Sequence, residues 1–230
     1  MTAPIFVALD TTDLAQAKAW AKAVAPHVTG VKLGLEFTYA HGLDGVRQVA
    51  GDVPLFLDLK LHDIPNTVAG GLRAVLQSIR PRYVNVHAGG GPEMLRQAAD
   101  AVASSSGGET RLLAVTVLTS LDEGDLGRVG QEGPAAEQVL RLANLTRECG
   151  GAGVVCSPAE VAMLRREMGP DFDLVVPGIR PVGAASQDQK RTMTPVDAIA
   201  AGATALVIGR LITGAANPGE AARLIAESLA

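Results

Sequence analysis

Eight short apolar runs recur along the chain, and this repetition limits the possible folds more than any single motif. They are "IFVAL" (5–9), "VKLGL" (31–35), "LFLDLK" (55–60), "YVNVHA" (83–88), "LLAVTVLT" (112–119), "GVVCS" (153–157), "LVVPGI" (174–179) and "ALVIGR" (205–210). Each is rich in Val, Leu and Ile, as strands buried in parallel sheets are. Stretches with helical spacing separate them. In "DLAQAKAWAKAVAP" (13–26) the apolar positions Leu14, Ala17, Trp20, Ala21 and Val24 share one face. Helices are also predicted over 92–103, opened by Pro92, over 134–150, closed by Gly150, and over 157–169, from Ser157-Pro158 to Gly169.

Eight strand–helix units in 230 residues fit a (β/α)8 TIM barrel, with an open doubly wound sheet as the competing layout. The units fill the chain with almost nothing left over, which favours the barrel and a single domain over 1–230. A content of 47% hydrophobic and 19% charged residues supplies a core of that size.

Parity along the strands separates the faces. Leu55, Leu57 and Leu59 alternate with Phe56, Asp58 and Lys60. Val84 and Val86 alternate with Asn85 and His87, and Val31, Leu33 and Leu35 with Lys32 and Gly34. If the apolar sets face the helices, the polar sets face the barrel interior. Asp10 follows strand 1, so Asp10, Lys32, Asp58 and Lys60 converge at the C-terminal strand ends, with Asp63 just beyond. One such residue would read as a solvated rim group. Four from adjacent strands are costly to bury unless they pair, and such a cluster reads as a site.

Strands 7 and 8 run into "PGIR" (177–180) and "VIGR" (207–210). Each offers a glycine backbone and an arginine fork where this architecture commonly holds phosphate. The polar stretch 180–191 reads as a lid or as an ordinary loop. Thr119 and Ser120 are predicted to close strand 5 and to meet a polar ring edge or satisfy backbone. "HAGGG" (87–91) lacks the Lys and Ser/Thr of a phosphate-binding Walker loop.

Other classes are excluded or disfavoured. A net charge of −4 argues against a general nucleic-acid binder. Cys149 and Cys156, the two cysteines, form no CxxC pair. A disulfide framework and structural zinc are therefore not expected, and a reducing cytoplasm fits. The start "MTAPIFVALD" has no secretion-signal pattern, and no apolar run is long enough to span a membrane.

"LDLKLHDIPNT" (57–67), with "VALD", "VKLG", "VNVHA", "PGIR" and "VIGR" in order, resembles the orotidine 5′-phosphate decarboxylase family in its short bacterial form. The resemblance implies conversion of orotidine 5′-monophosphate to UMP and CO2, the last step of UMP synthesis, with no metal and no organic cofactor. It implies that Lys60 donates a proton to C6. Lys32, Asp58, Lys60 and Asp63 would form the charged network, with Asp63 reaching the site of the neighbouring subunit in a homodimer. It assigns Asp10 and Thr67 to the ribose, Thr119 and Ser120 to the pyrimidine, and Arg180, Gln189, Gly209 and Arg210 to the phosphate. His62 receives no chemical role. Related sugar-phosphate decarboxylases and hexulose-phosphate synthases share a DxKxxD core but use Mg2+, and a barrel that only binds nucleotides is the non-enzymatic alternative.

Overall fold

The computed structural model describes residues 2–131, 133–179 and 193–229. Among these, eight strands form a closed barrel in sequence order: β1 (Ala3–Ala8), β2 (Val28–Gly34), β3 (Leu55–Leu61), β4 (Tyr83–His87), β5 (Arg111–Val115), β6 (Gly153–Val155), β7 (Asp173–Val176) and β8 (Ala205–Ile208). Every neighbouring pair is parallel, and β8 closes onto β1 through Ile5–Leu206 and Val7–Ile208. The helices are α1 (Leu14–Val24), α2 (Leu35–Ala50), α3 (Pro65–Ser78), α4 (Gly91–Ser106), α5 (Glu123–Arg128), α6 (Ala135–Glu148), α7 (Val161–Met168), α8 (Pro195–Ala200), α9 (Arg210–Thr213) and α10 (Pro218–Glu227). The open-sheet alternative is thereby ruled out.

Local chemistry explains the helix starts. The Asp13 side chain accepts from the Gln16 N–H at 2.9 Å and caps α1, which buries Ala17, Ala21 and Val24. Pro65 and Pro92 sit in the first turns of α3 and α4, where a missing N–H costs nothing.

The core has two layers. Ile5, Val7, Leu33, Leu55, Leu57, Val84 and Val86 face the helices. Phe6, Ala8, Phe56, Tyr83, Leu113, Val175, Ala205 and Val207 fill the barrel interior. Three aromatic rings dominate this inner layer, meeting edge to face at 6.2 Å (Phe6–Phe56), 5.5 Å (Phe6–Tyr83) and 6.0 Å (Phe56–Tyr83). Each such pair contributes about 0.5–1.5 kcal/mol beyond its buried area. A Cβ at Gly30 would lie 2.1 Å from the Pro54 carbonyl oxygen and 2.7 Å from the Phe6 ring, so glycine accommodates both the neighbouring backbone and the plug. At the opposite end from the site, Arg111 Nε pairs with Asp173 Oδ2 at 2.5 Å. Burial first, and Asp173 second, push the Tyr83 hydroxyl up to about 12.

Several boundaries differ from the sequence reading. Strand 5 ends at Val115, so Thr119 and Ser120 lie in the loop beyond it. Leu35 opens α2 instead of continuing strand 2, and it is exposed. Both departures follow from barrel closure: strands stop where pairing with their neighbours stops, whatever the hydrophobicity of the next residues. The 157–169 helix is a short 3-10 turn (Pro158–Glu160) followed by α7. The loop 180–191, with Arg180 and Gln189, lies outside the described residues.

Candidate active site

The C-terminal ends of the strands surround a cavity of about 260 Å3. Asp10, Lys32, Asp58 and Lys60 line it together with Gly209 and Arg210, and Gly209 adjoins Asp10, since a Cβ there would lie 3.8 Å from Asp10 Oδ2. The rest of the lining is mostly apolar, from Phe56, Val115, Val117, Leu118, Val155 and Val207, with Thr119 among them. Phe56 stands two residues before Asp58 on the same strand face, so the aromatic plug forms the floor under the charges.

Lys32 is the centre of the charged side. Its Nζ lies 3.2 Å from Asp58 Oδ2 and 3.4 Å from Asp10 Oδ1. The strand register explains the first contact: Gly34 of β2 pairs with Asp58 of β3. Gly34 also leaves the space, because a Cβ there would lie 3.3 Å from Lys32 Nζ. Burial alone would lower the Lys32 ammonium, but Asp58 and Asp10 outweigh it and hold the group above the ordinary lysine range.

Asp58 is the most enclosed carboxylate of the set, with only 9% of its side chain exposed. Its Oδ1 accepts from Lys60 Nζ at 2.6 Å and from Asn85 Nδ2 at 2.7 Å. Burial pushes this carboxyl upward, yet Lys32, Lys60 and the Asn85 amide together hold it below the ordinary range. Lys60 keeps 31% of its side chain exposed toward the cavity mouth. Its φ is 49°, the one positive value outside glycine among the described residues. Such a conformation costs about 1–2 kcal/mol for a side-chain-bearing residue.

The ladder between β3 and β4 accounts for that backbone. Leu57 pairs with Val84 and Leu61 with Val86, so four steps along β3 run beside two along β4. Asp58, Leu59 and Lys60 occupy the slip. The Lys60 N–H donates to the Asn85 side chain, Oδ1, at 2.8 Å. The sequence reading placed Asn85 on the inward face but gave it no role, and its parity between Val84 and Val86 was the available signal.

Not every expected residue reaches this cavity. Asp63, Thr67 and Ser120 are exposed and do not line it. Asp63 lies past β3, where its Oδ1 accepts from the Ile64 N–H at 2.7 Å. His62 is exposed, its ring 5.5 Å from that of His87. Burial, then His62 and Lys60, lower the His87 imidazole. Cys156 lines the wall as a buried apolar group, its thiol pushed up by burial. Among the described residues no group of three or more His, Cys, Asp or Glu is arranged to hold a metal ion, and no helix is long and apolar enough to cross a membrane.

A largely enclosed cation–anion relay beside apolar lining, with Gly209 and Arg210 in the same cavity, suits a flat ring carrying anionic groups. Comparison with known proteins agrees. The family described as "Orotidine 5'-phosphate decarboxylase / HUMPS family" matches residues 3–225. A Thermobifida fusca (strain YX) protein named orotidine 5'-phosphate decarboxylase is 54% identical over 231 residues, covering 100% of this chain and 97% of its own. A Rhodospirillum rubrum protein of the same name is 52% identical, covering 97% of this chain and 92% of its own. The crystal structure of orotidine 5'-phosphate decarboxylase from Lactobacillus acidophilus is similar with a TM-score of 0.83 at 38% identity, covering 99% of both chains.

Proposed function

The chain belongs to the orotidine 5'-phosphate decarboxylase / HUMPS family, and from that premise we propose how its cavity converts orotidine 5′-monophosphate to UMP and CO2. The observation that carries the reading is the Lys32–Asp58–Lys60 relay, with contacts of 3.2 and 2.6 Å, at the wall of an apolar slot.

The pyrimidine lies against the apolar wall with C6 toward Lys60. The bond from C6 to its carboxylate breaks, the electron pair stays on C6, and CO2 leaves. No ordinary electron sink exists for that pair, so the site must stabilise negative charge by fixed electrostatics. The Lys60 ammonium faces the developing charge and then gives C6 its proton, and the neutral amine regains one from water. Asp58 fixes the ammonium at 2.6 Å. It also sets a second carboxylate beside that of the substrate, a repulsion relieved when CO2 departs.

Gly209 and Arg210 meet the 5′-phosphate, joined by Arg180 and Gln189, which lie outside the described residues. Asp10 holds the ribose and Thr119 meets the ring edge, both from the cavity lining. Thr67 and Ser120, exposed outside that lining, are assigned no contact with the substrate. Binding energy from the phosphate orders the site around the reacting carbon. Asp63 serves the cavity of a second copy in a homodimer. Its exposure beyond β3, beside an Ile64 that is 67% exposed, supports that reading.

Lys32 occupies the space between the Asp10 and Asp58 carboxylates, so an ammonium supplies the positive charge there. The deciding experiment is a spectrophotometric decarboxylation assay on orotidine 5′-monophosphate with EDTA present. Turnover unchanged by chelator is expected, and turnover abolished by EDTA would transfer the chain to the Mg2+-dependent branch. Lys60→Ala should lower kcat by at least about 10²–10⁴-fold. Near wild-type turnover by that variant would refute the proton-donor role.

A further inference from the structure

We propose that Asn85 is a positioning residue for decarboxylation, holding the Asp58 carboxylate and the Lys60 backbone in one fixed relation through the two ends of its amide. The inference rests on the decarboxylase reading of the site and adds a residue from β4 to it.

Three observations carry it. Asn85 is fully buried at 0% exposure, although its amide has both a donor and an acceptor to satisfy. Both ends are used on the relay: Nδ2 donates to Asp58 Oδ1 at 2.7 Å, and Oδ1 accepts from the Lys60 N–H at 2.8 Å. The second bond falls where the β3–β4 ladder slips, so a side-chain carbonyl replaces the backbone carbonyl that a regular ladder would offer. It holds Lys60 at a φ of 49°. A lysine side chain launched from that backbone returns to Asp58 Oδ1, the same oxygen that Asn85 holds. One amide therefore fixes both where the ammonium starts and what it points at.

The groups around Asp58 are Lys32, Lys60 and Asn85, with Asp10 behind Lys32 and with His87 and His62 beyond Lys60. Asn85 is the neutral donor in direct contact with the carboxylate. Removing it deprives the ionised form of Asp58 of a hydrogen bond, which favours protonation.

The test compares wild type, Asn85→Ala and Asn85→Asp in steady-state kinetics across pH. Titration with UMP normalises rates to competent sites. Asn85→Asp keeps the volume and an acceptor for the Lys60 N–H but loses the donor and adds a like charge beside Asp58. Both variants should lose kcat by about 10- to 100-fold, the scale of a small displacement at a reacting centre, with KM changed less than about threefold. The acid limb of their kcat profile should move to higher pH, further for Asn85→Asp. A residue that merely fills the core would lower the number of competent sites without moving that limb. If Asn85→Ala does not fold, Asn85→Asp carries the test. Wild-type activity together with a variant kcat per competent site within about twofold of it, and an unmoved acid limb, would overturn the positioning role alone. A wild-type chain inactive on orotidine 5′-monophosphate would overturn the reading of the site beneath it.

Discussion

Replacing Asp58 by Asn removes the charge that both the Lys32 and the Lys60 ammonium contact. In the native chain Asp58 lies 3.2 Å from Lys32 and 2.6 Å from Lys60, with 9% of its side chain exposed. The amide keeps the shape and a hydrogen-bond acceptor but no charge. Lys32, 11% exposed, is left with Asp10 at 3.4 Å, a carboxylate that is itself 59% exposed. Breaking a buried ion pair by removing one partner costs about 3–5 kcal/mol. The lower end applies, since Lys60 is 31% exposed and can turn to solvent. A loss of about 3 kcal/mol at pH 7 corresponds to a Tm lower by about 6–12 °C for a chain of this size.

The pH dependence follows from the direction of the Asp58 shift. Its carboxyl is held below the ordinary value of 3.8 in the folded chain. The stabilisation it supplies is therefore fully present above that value and fades as pH falls through the folded one. The gap between wild type and Asp58→Asn should be constant from pH 8 to about 5 and narrow below that. Urea unfolding followed by far-UV circular dichroism, at one protein concentration, measures it. A variant as stable as wild type at pH 7, or more stable, would refute the reasoning. It would mean that the desolvation cost of the network exceeds what its pairing returns.

Further outcomes test other parts of the structure. Gly34→Ala is compatible with the local backbone (φ −104°) but brings a Cβ to 3.3 Å from Lys32 Nζ. Its kcat should fall about tenfold with Tm nearly unchanged, as kinetics and a thermal melt would record. Leu57→Ala, fully buried against the helices, should cost about 2–5 kcal/mol in urea unfolding while the folded fraction keeps its kcat. If Asp63 serves a second copy as proposed, mixing inactive Lys60→Ala and Asp63→Ala chains should restore partial turnover, because a mixed dimer would then hold one intact site. No recovery despite demonstrated subunit exchange would assign Asp63 to its own chain.

Strand parity is a local property, and so the inward set was legible early. Any residue two positions from Asp58 on an extended strand shares its face, and this alone put Phe56 and Lys60 with it. The eight-fold recurrence of apolar runs likewise favoured the barrel, because each run needs a helix to cover it and a neighbour to pair with, but only the pairing of β8 with β1 excluded an open sheet. Lys32 and Asp10 could be assigned to the same end of the barrel from their strand positions. Their order around Asp58, with Lys32 between two carboxylates, required the register of β2 on β3.

What only the tertiary structure decided is set by pairing between strands. The slip of β3 against β4, the positive φ of Lys60 and the bridging amide of Asn85 have no signature in "LDLKLHD" or "YVNVHA" read separately. The same holds for Thr119 and Ser120, which continue an apolar run in sequence but leave the strand where β5 loses its partners. A chain specifies its periodicity residue by residue. The register of one strand on another is a balance of contacts across the whole barrel, and that balance places the ammonium of Lys60.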